Sequence, residues 1–215
     1  MAKVVSPLQS AEARGGMGGL VYNTWRGIAT VKQKKSPSQP RTSRQLAIRS
    51  LLSTYSKKWQ TLTQIQRDAW NTYALSHTLS DWTGNPKRIT GMDWYVGCNS
   101  RLIDMGNTEI SSPPTTTAPA AVTGLTLTPG SGTISCAFTA YAGTTTTVDL
   151  WLEGPYSPGR VAKIERAKHN AYQPGETTPK VISGLVAGYY TVFARGIDEA
   201  SGLASLFVNA SCTVS

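Results

Sequence analysis

The chain has 215 residues, room for one large or two small domains, and 21 Lys and Arg against 12 Asp and Glu give it a formal charge of +9. Its three cysteines, Cys98, Cys136 and Cys212, show no paired short spacing, so the pattern points neither to a zinc site nor to a disulfide framework. The opening MAKVVSPLQS lacks an apolar core segment, and no apolar run approaches the ~18 residues of a membrane span, so neither a signal peptide nor a membrane partner is expected.

The charge is segregated. Eleven Lys and Arg and one acid, Glu12, lie between Met1 and Lys58, whereas the remainder carries ten basic and eleven acidic residues. Such asymmetry suits a polyanion or an acidic protein surface as partner.

Residues 1–41 read as a basic, glycine-rich extended arm. Gly15-Gly16-Met17-Gly18-Gly19 precedes a loosely alternating run with Leu20, Val21, Tyr22, Trp25, Ile28 and Val31, rich in β-formers and stopped by Pro37 and Pro40. One or two short strands are expected, and their backbone must pair within the protein or on the edge of a partner sheet. The candidate partner-binding residues are Arg14, Tyr22, Trp25, Arg26, Lys32, Lys34, Lys35 and Arg41. The glycine cluster does not read as a phosphate-cradling loop, because Gly19 is followed by Leu20-Val21 rather than by a Lys-Ser/Thr pair opening a helix.

Residues 42–106 read as a small helical unit. Ile48, Leu51, Leu52, Tyr55, Trp59 and Leu62 recur at steps of three and four and form one helical stripe. Thr42/Gln45, Thr63/Gln66 and Thr90/Asp93 each have capping-box spacing just before an apolar run, so three helices are expected. The short joint near Leu62 predicts a hairpin of the first two, and Gly106 is the expected stop of the third. Asp81–Ile89, with Gly84-Asn85-Pro86, reads as a loop. Trp59, Trp70 and Trp94 are core or interface aromatics. A unit this small buries little surface and should lean on the arm, a second copy or another protein.

Asn107–Ala121 (NTEISSPPTTTAPAA) reads as a semi-extended linker. In residues 122–215, short β-rich runs alternate with turn clusters at the spacing of a β-sandwich. Ile134, Cys136 and Phe138 should share one face, as should Val148, Leu150 and Leu152, and likewise Tyr190, Val192 and Ala194. Gly154–Gly159 reads as a turn, and Leu203–Val214 as the last strand. Cys136 and Cys212 lie in this part and are expected as reduced core thiols; a meeting of the two across it is the alternative.

ISGLVAGYYTVFARGID resembles the corner between the fifth and sixth strands of fibronectin type III domains, through Leu185, Gly188, Tyr190, Val192 and Ala194. The resemblance implies an Ig-like sandwich with Tyr190 as the corner tyrosine whose hydroxyl bonds back to upstream backbone. Phe138 stands where that family usually has a tryptophan, and no Arg-Gly-Asp motif occurs. A second resemblance runs from Arg14 to about Met105. RGGMGGLVYNTWRGI, PRTSRQLAIR and KKWQTLTQIQRDAWNTYA are similar to small proteins encoded by tailed bacteriophages, which implies a virion component. The fold class expected is thus α+β multidomain: arm, three-helix unit, linker and sandwich.

No nucleophile–base motif surrounds His77 or His169, and no metal-ligating cluster or cofactor motif is seen. Glu153 and Glu165 are the one carboxylate pair considered, and they read as solvated strand-edge charges. The expectation is a non-enzymatic virion protein without metal or cofactor. It would decorate the capsid by contact with the major capsid protein, or sit in the tail or head–tail connector, with self-association also open. The alternative is a basic nucleic-acid-binding protein making sequence-independent phosphate contacts.

Overall fold

In the computed structural model the residues described are 2–3, 14–35, 42–80, 85–139, 141, 145–157, 159–175 and 178–215. The chain divides into two units, Met1–Gln45 and Leu46–Ser215.

The first unit corrects the expectation of an extended arm. It is an antiparallel sheet of β1 (Ala2–Lys3), β2 (Gly15–Met17), β3 (Leu20–Trp25) and β4 (Ile28–Gln33), in the order β1-β4-β3-β2. Trp25 pairs with Ile28 across a two-residue loop, Arg26-Gly27, in which both residues have positive φ (50° and 78°). That is the backbone sign of a type I′ turn, whose twist matches the strands it joins. Arginine is not a usual first residue of such a turn, so the run looked continuous in the sequence. Folding back lets β3 and β4 satisfy each other's N–H and C=O groups. The hydroxyl of Thr30, buried in this sheet, donates to the Asn23 carbonyl at 3.0 Å.

The second unit opens with three helices, α1 (Ser43–Thr61), α2 (Gln64–Ser76) and α3 (Gly91–Asp104). The boxes at Thr63/Gln66 and Thr90/Asp93 are closed in both directions. At Thr42 the Gln45 N–H donates to the threonine hydroxyl at 3.3 Å. Gly106, at φ 86°, ends α3 in a Schellman turn: its N–H donates to Ile103 and that of Asn107 to Leu102. The helices meet around aromatic rings. Trp70 is fully buried, and Tyr95 of α3 takes Tyr55 and Trp59 from α1 and Trp70 from α2 at centroid distances of 5.6–6.1 Å. β5 (Leu79–Ser80), just before the expected Asp81–Ile89 loop, pairs with β6 (Pro86–Lys87) inside it as a two-stranded ribbon.

The segment read as a linker has neither helix nor strand, and it is tied down along the helices. Trp70 Nε1 donates to the Ser111 carbonyl at 2.9 Å, and the Asn99 amide bridges both backbone groups of Ile110.

The C-terminal half is a seven-stranded, fibronectin type III/Ig-like sandwich. β7 (Thr126–Gly130), β8 (Thr133–Ala137) and β11 (Lys180–Ser183) form one sheet, ordered β11-β8-β7. β9 (Thr146–Tyr156), β10 (Lys168–Pro174), β12 (Gly188–Asp198) and β13 (Val208–Val214) form the other, ordered β10-β9-β12-β13. Ile134, Cys136 and Phe138 from one sheet bury against Val148, Leu150, Tyr190, Val192 and Ala194 from the other. Cys136 and Cys212 are free thiols. Burial, with Cys212 nearby, pushes the Cys136 pKa up to about 12, so this thiol is protonated and unreactive at neutral pH.

Two local expectations are corrected. β9 runs through Gly154-Pro155-Tyr156, which the turn residues had marked as a loop. The last strand starts at Val208, because Leu203 turns away from the sandwich and joins the helical core, 3% exposed. The connection from β12 to β13 therefore plugs into α3. Gly202, at φ 68°, lies so close that a Cβ there would be 2.4 Å from the Cys98 carbonyl oxygen. Arg101 Nε donates to the Gly202 carbonyl at 2.6 Å, Asn107 Nδ2 to that of Glu199 at 3.1 Å, and the Tyr172 hydroxyl to Asp104.

Candidate functional site

In the N-terminal unit the register of the β3–β4 hairpin places the candidate residues. Lys32 lies on β4, Lys34 and Lys35 follow it, Arg26 is at the turn and Arg14 precedes β2; all five are exposed, and Tyr22 on β3 is half-buried. The Lys34 N–H closes the hairpin end by donating to the Gly19 carbonyl at 2.7 Å. The Trp25 side chain and Arg41 lie outside the described residues. The unit thus offers a basic hairpin surface.

The helical tryptophans are placed differently from one another. Trp70 is sealed and its N–H satisfied by the strap, Trp59 is half-buried against Tyr95, and Trp94 is 7% exposed. Tyr190 is 2% exposed, and its hydroxyl donates to the Val186 carbonyl, four residues upstream, at 2.8 Å. Glu153 is a buried acceptor for Arg160 at 3.0 Å and for the Lys163 N–H at 2.6 Å, which ties down the segment between β9 and β10. Among the described residues no group of three His, Cys, Asp or Glu could hold a metal ion.

Within the second unit, a groove of about 770 Å³ opens between the helices and the β12–β13 connection. α2 contributes Tyr73 to it and α3 contributes Asp93, Trp94, Gly97 and Arg101. Leu79, Ile89, the strap residues Thr117–Pro119 and Leu203–Leu206 supply mostly apolar walls. Such a size and lining fit a small-molecule or side-chain pocket. His77, which follows α2, stacks on Tyr73 at 3.8 Å, and Trp94 meets the Tyr73 ring edge-on at 5.4 Å.

The charged groups of the groove are not equivalent. Arg195 is neutralised: its Nε and Nη2 both lie 2.9 Å from Asp149 Oδ2, and its guanidinium stacks 4.5 Å from the Phe207 ring centroid. Asp149 is fully buried, and His169 Nε2 stands 3.4 Å from its other oxygen, too far for a strong hydrogen bond. Burial alone would raise the Asp149 pKa; His169 first and then Arg195 outweigh it and hold the carboxyl below its usual range. Asp93 is spent on the cap, accepting from the Thr90 backbone N–H and hydroxyl.

Arg101 differs from both. Its guanidinium lies across Gly97, where a Cβ would be 3.7 Å from Nη1 and 3.9 Å from Nη2. Nε is used on Gly202, Nη2 reaches only the Cys98 sulfur at 3.8 Å, and no carboxylate pairs with it among the described residues. Burial pushes its pKa down despite the nearby Cys98 sulfur, and the positive charge of Arg195 pushes the same way. Trp94, which also lines the groove, has its Nε1 buried without a hydrogen-bond partner among the described residues. Neither Arg101 nor the β12–β13 connection stands out in the sequence, because no local pattern marks residues that meet across a hundred positions.

No protein-family model matches the chain, and no curated protein matches it. Solved structures similar to it include FN3tt (19% identity, 46% of this chain and 98% of that one, TM-score 0.36). The fn3 domain of human collagen alpha-1(XX) chain aligns at 18% identity over 47% of this chain and 90% of its own, TM-score 0.35. A Fn3-like protein from Clostridium thermocellum aligns at 19% identity over 46% and 94%, TM-score 0.34. Each spans less than half of this chain.

Proposed function

We propose that this is a non-enzymatic structural protein of a bacteriophage virion. It decorates or cements the capsid through its N-terminal unit and leaves the β-sandwich exposed on the particle. The observation that carries the reading is the segregation of charge: residues 1–58 hold eleven Lys and Arg and one acid, with Arg14, Arg26, Lys32, Lys34 and Lys35 exposed on or next to the strands of one small sheet, whereas residues 59–215 carry ten basic and eleven acidic side chains. A concentrated basic surface on a short hairpin steers toward an acidic face of an assembly, and the edge of its sheet offers backbone groups to a partner strand. The phage resemblance of residues 14–105 names the kind of assembly, and the sandwich supplies a robust displayed domain.

The test is mass spectrometry of purified particles of the encoding phage, with copy number scaled to the major capsid protein, alongside a variant lacking Met1–Lys35. Capsid decoration predicts a copy number comparable with the capsid protein, lost on deletion while the sandwich stays folded. A copy number matching a single ring moves the protein to the tail or head–tail connector. Absence from the particle, with steeply salt-dependent DNA binding by the same unit, overturns the proposal in favour of nucleic-acid binding.

A further inference from the structure

The groove between α3 and the β12–β13 connection holds a positive charge that the fold does not use. A guanidinium has five N–H donors, and Arg101 commits Nε to a backbone carbonyl and only a weak sulfur contact beyond that. A partly desolvated cation beside a second arginine is costly unless an anion completes it. Arg195 shows what completion looks like here, since it is held by Asp149 and covered by Phe207. Arg101 has the charge without a carboxylate paired to it among the described residues, and it faces a mostly apolar cavity that Trp94 also lines. Of the titratable groups lining the groove, Asp93 is turned into its cap, His77 is stacked on Tyr73 and Arg195 is held by Asp149, which leaves the role open to an outside ligand.

We propose that this groove is a binding site for a carboxylate carried on an apolar body, with the Nη edge of Arg101 clasping the carboxylate and Trp94, Leu203 and Leu206 receiving the apolar part. The site is independent of how the N-terminal unit engages its partner. A bidentate Arg–carboxylate pair in a partly dry groove is among the stronger polar contacts available to a protein, and its geometry selects a planar carboxylate over a neutral amide of the same shape.

The probes are 4-phenylbutyrate and its neutral counterpart 4-phenylbutanamide, titrated into the full chain. Binding is followed by calorimetry and by the indole N–H resonances, with Trp94 assigned through Trp94→Phe. The expected result is saturable binding of the carboxylate that shifts the Trp94 resonance, about tenfold or more tighter than the amide. Arg101→Met should lower carboxylate affinity by at least that factor and leave the amide unchanged. Because Met removes an unpaired, partly buried charge, the variant should also keep or raise its unfolding temperature. Equal affinity for both probes, or binding that survives Arg101→Met, overturns the assignment. So does a fall in unfolding temperature on Arg101→Met with no change in binding, since that would make Arg101 a tie for Gly202 and nothing more.

Discussion

The second unit contains two cores of different construction. The sandwich core is mostly aliphatic, with Phe138 and Tyr190 as its buried rings: Ile134, Val148, Leu150, Val192 and Ala194 come from strands of the same domain, and every residue in the cluster lies in the C-terminal half. The helical core is aromatic, with Tyr55, Trp70, Tyr73, Trp94 and Tyr95, and it is completed from outside by Leu203 of the sandwich and Ile110 of the strap. Two sheets facing each other close their own core; three short helices do not, and they borrow the missing surface. The lesson is that the helices depend on the sandwich more than the sandwich depends on them.

The sharpest way to break that asymmetry is to remove the borrowed residue. Leu203→Ala should destabilise the helices by about 3 kcal/mol, the usual cost of a buried leucine truncation, and leave the sandwich nearly untouched. Denaturant unfolding followed by tryptophan fluorescence should then precede loss of the β signal by circular dichroism. A single transition, shifted intact, would show that the two cores unfold as one.

Tyr190→Phe probes the other side. It deletes the hydroxyl that donates to Val186 without opening a cavity, and should lower the midpoint of the β transition by about 1 kcal/mol while sparing the helices. An unchanged midpoint would mean that the corner hydrogen bond contributes nothing to closure of the sandwich.

The smallest expected effect lies at the strap. Glu109 accepts from Lys58 and, at 2.8 Å, from the Tyr55 hydroxyl, and these two hold its pKa below the usual carboxylate range. A carboxyl with a depressed folded-state pKa adds stability above its unfolded value, roughly 4.3, and loses it as pH falls through the folded value. Both charged side chains are nearly half exposed, so screening keeps the contribution small. In low salt, Glu109→Gln should be slightly less stable than the parent at about pH 6, and the gap should close as the pH falls through the depressed folded-state pKa. A gap that persists at the acid end would mean the effect is packing, not charge.

Local chemistry was legible before any coordinates. Thr63/Gln66, Thr90/Asp93 and Gly106 mark helix ends because caps are made by residues within a few positions of one another. The period-two runs around Ile134, Leu150 and Val192 mark a buried strand face because side chains alternate along a strand. The type I′ turn at Arg26-Gly27 was not legible, since its sign is in φ and arginine does not advertise it.

By itself, the sequence determined three helices with their caps, an alternating β half, and a basic N-terminal stretch, all of them properties of neighbours along the chain. Only the tertiary structure decided that the arm folds into its own sheet, that Leu203 leaves the last strand to fill the helical core, and that Arg101 faces a groove with no carboxylate paired to it among the described residues. Those are pairings between residues far apart in sequence. They are set by which surfaces remain uncovered after each local element has formed, and no short window contains that information.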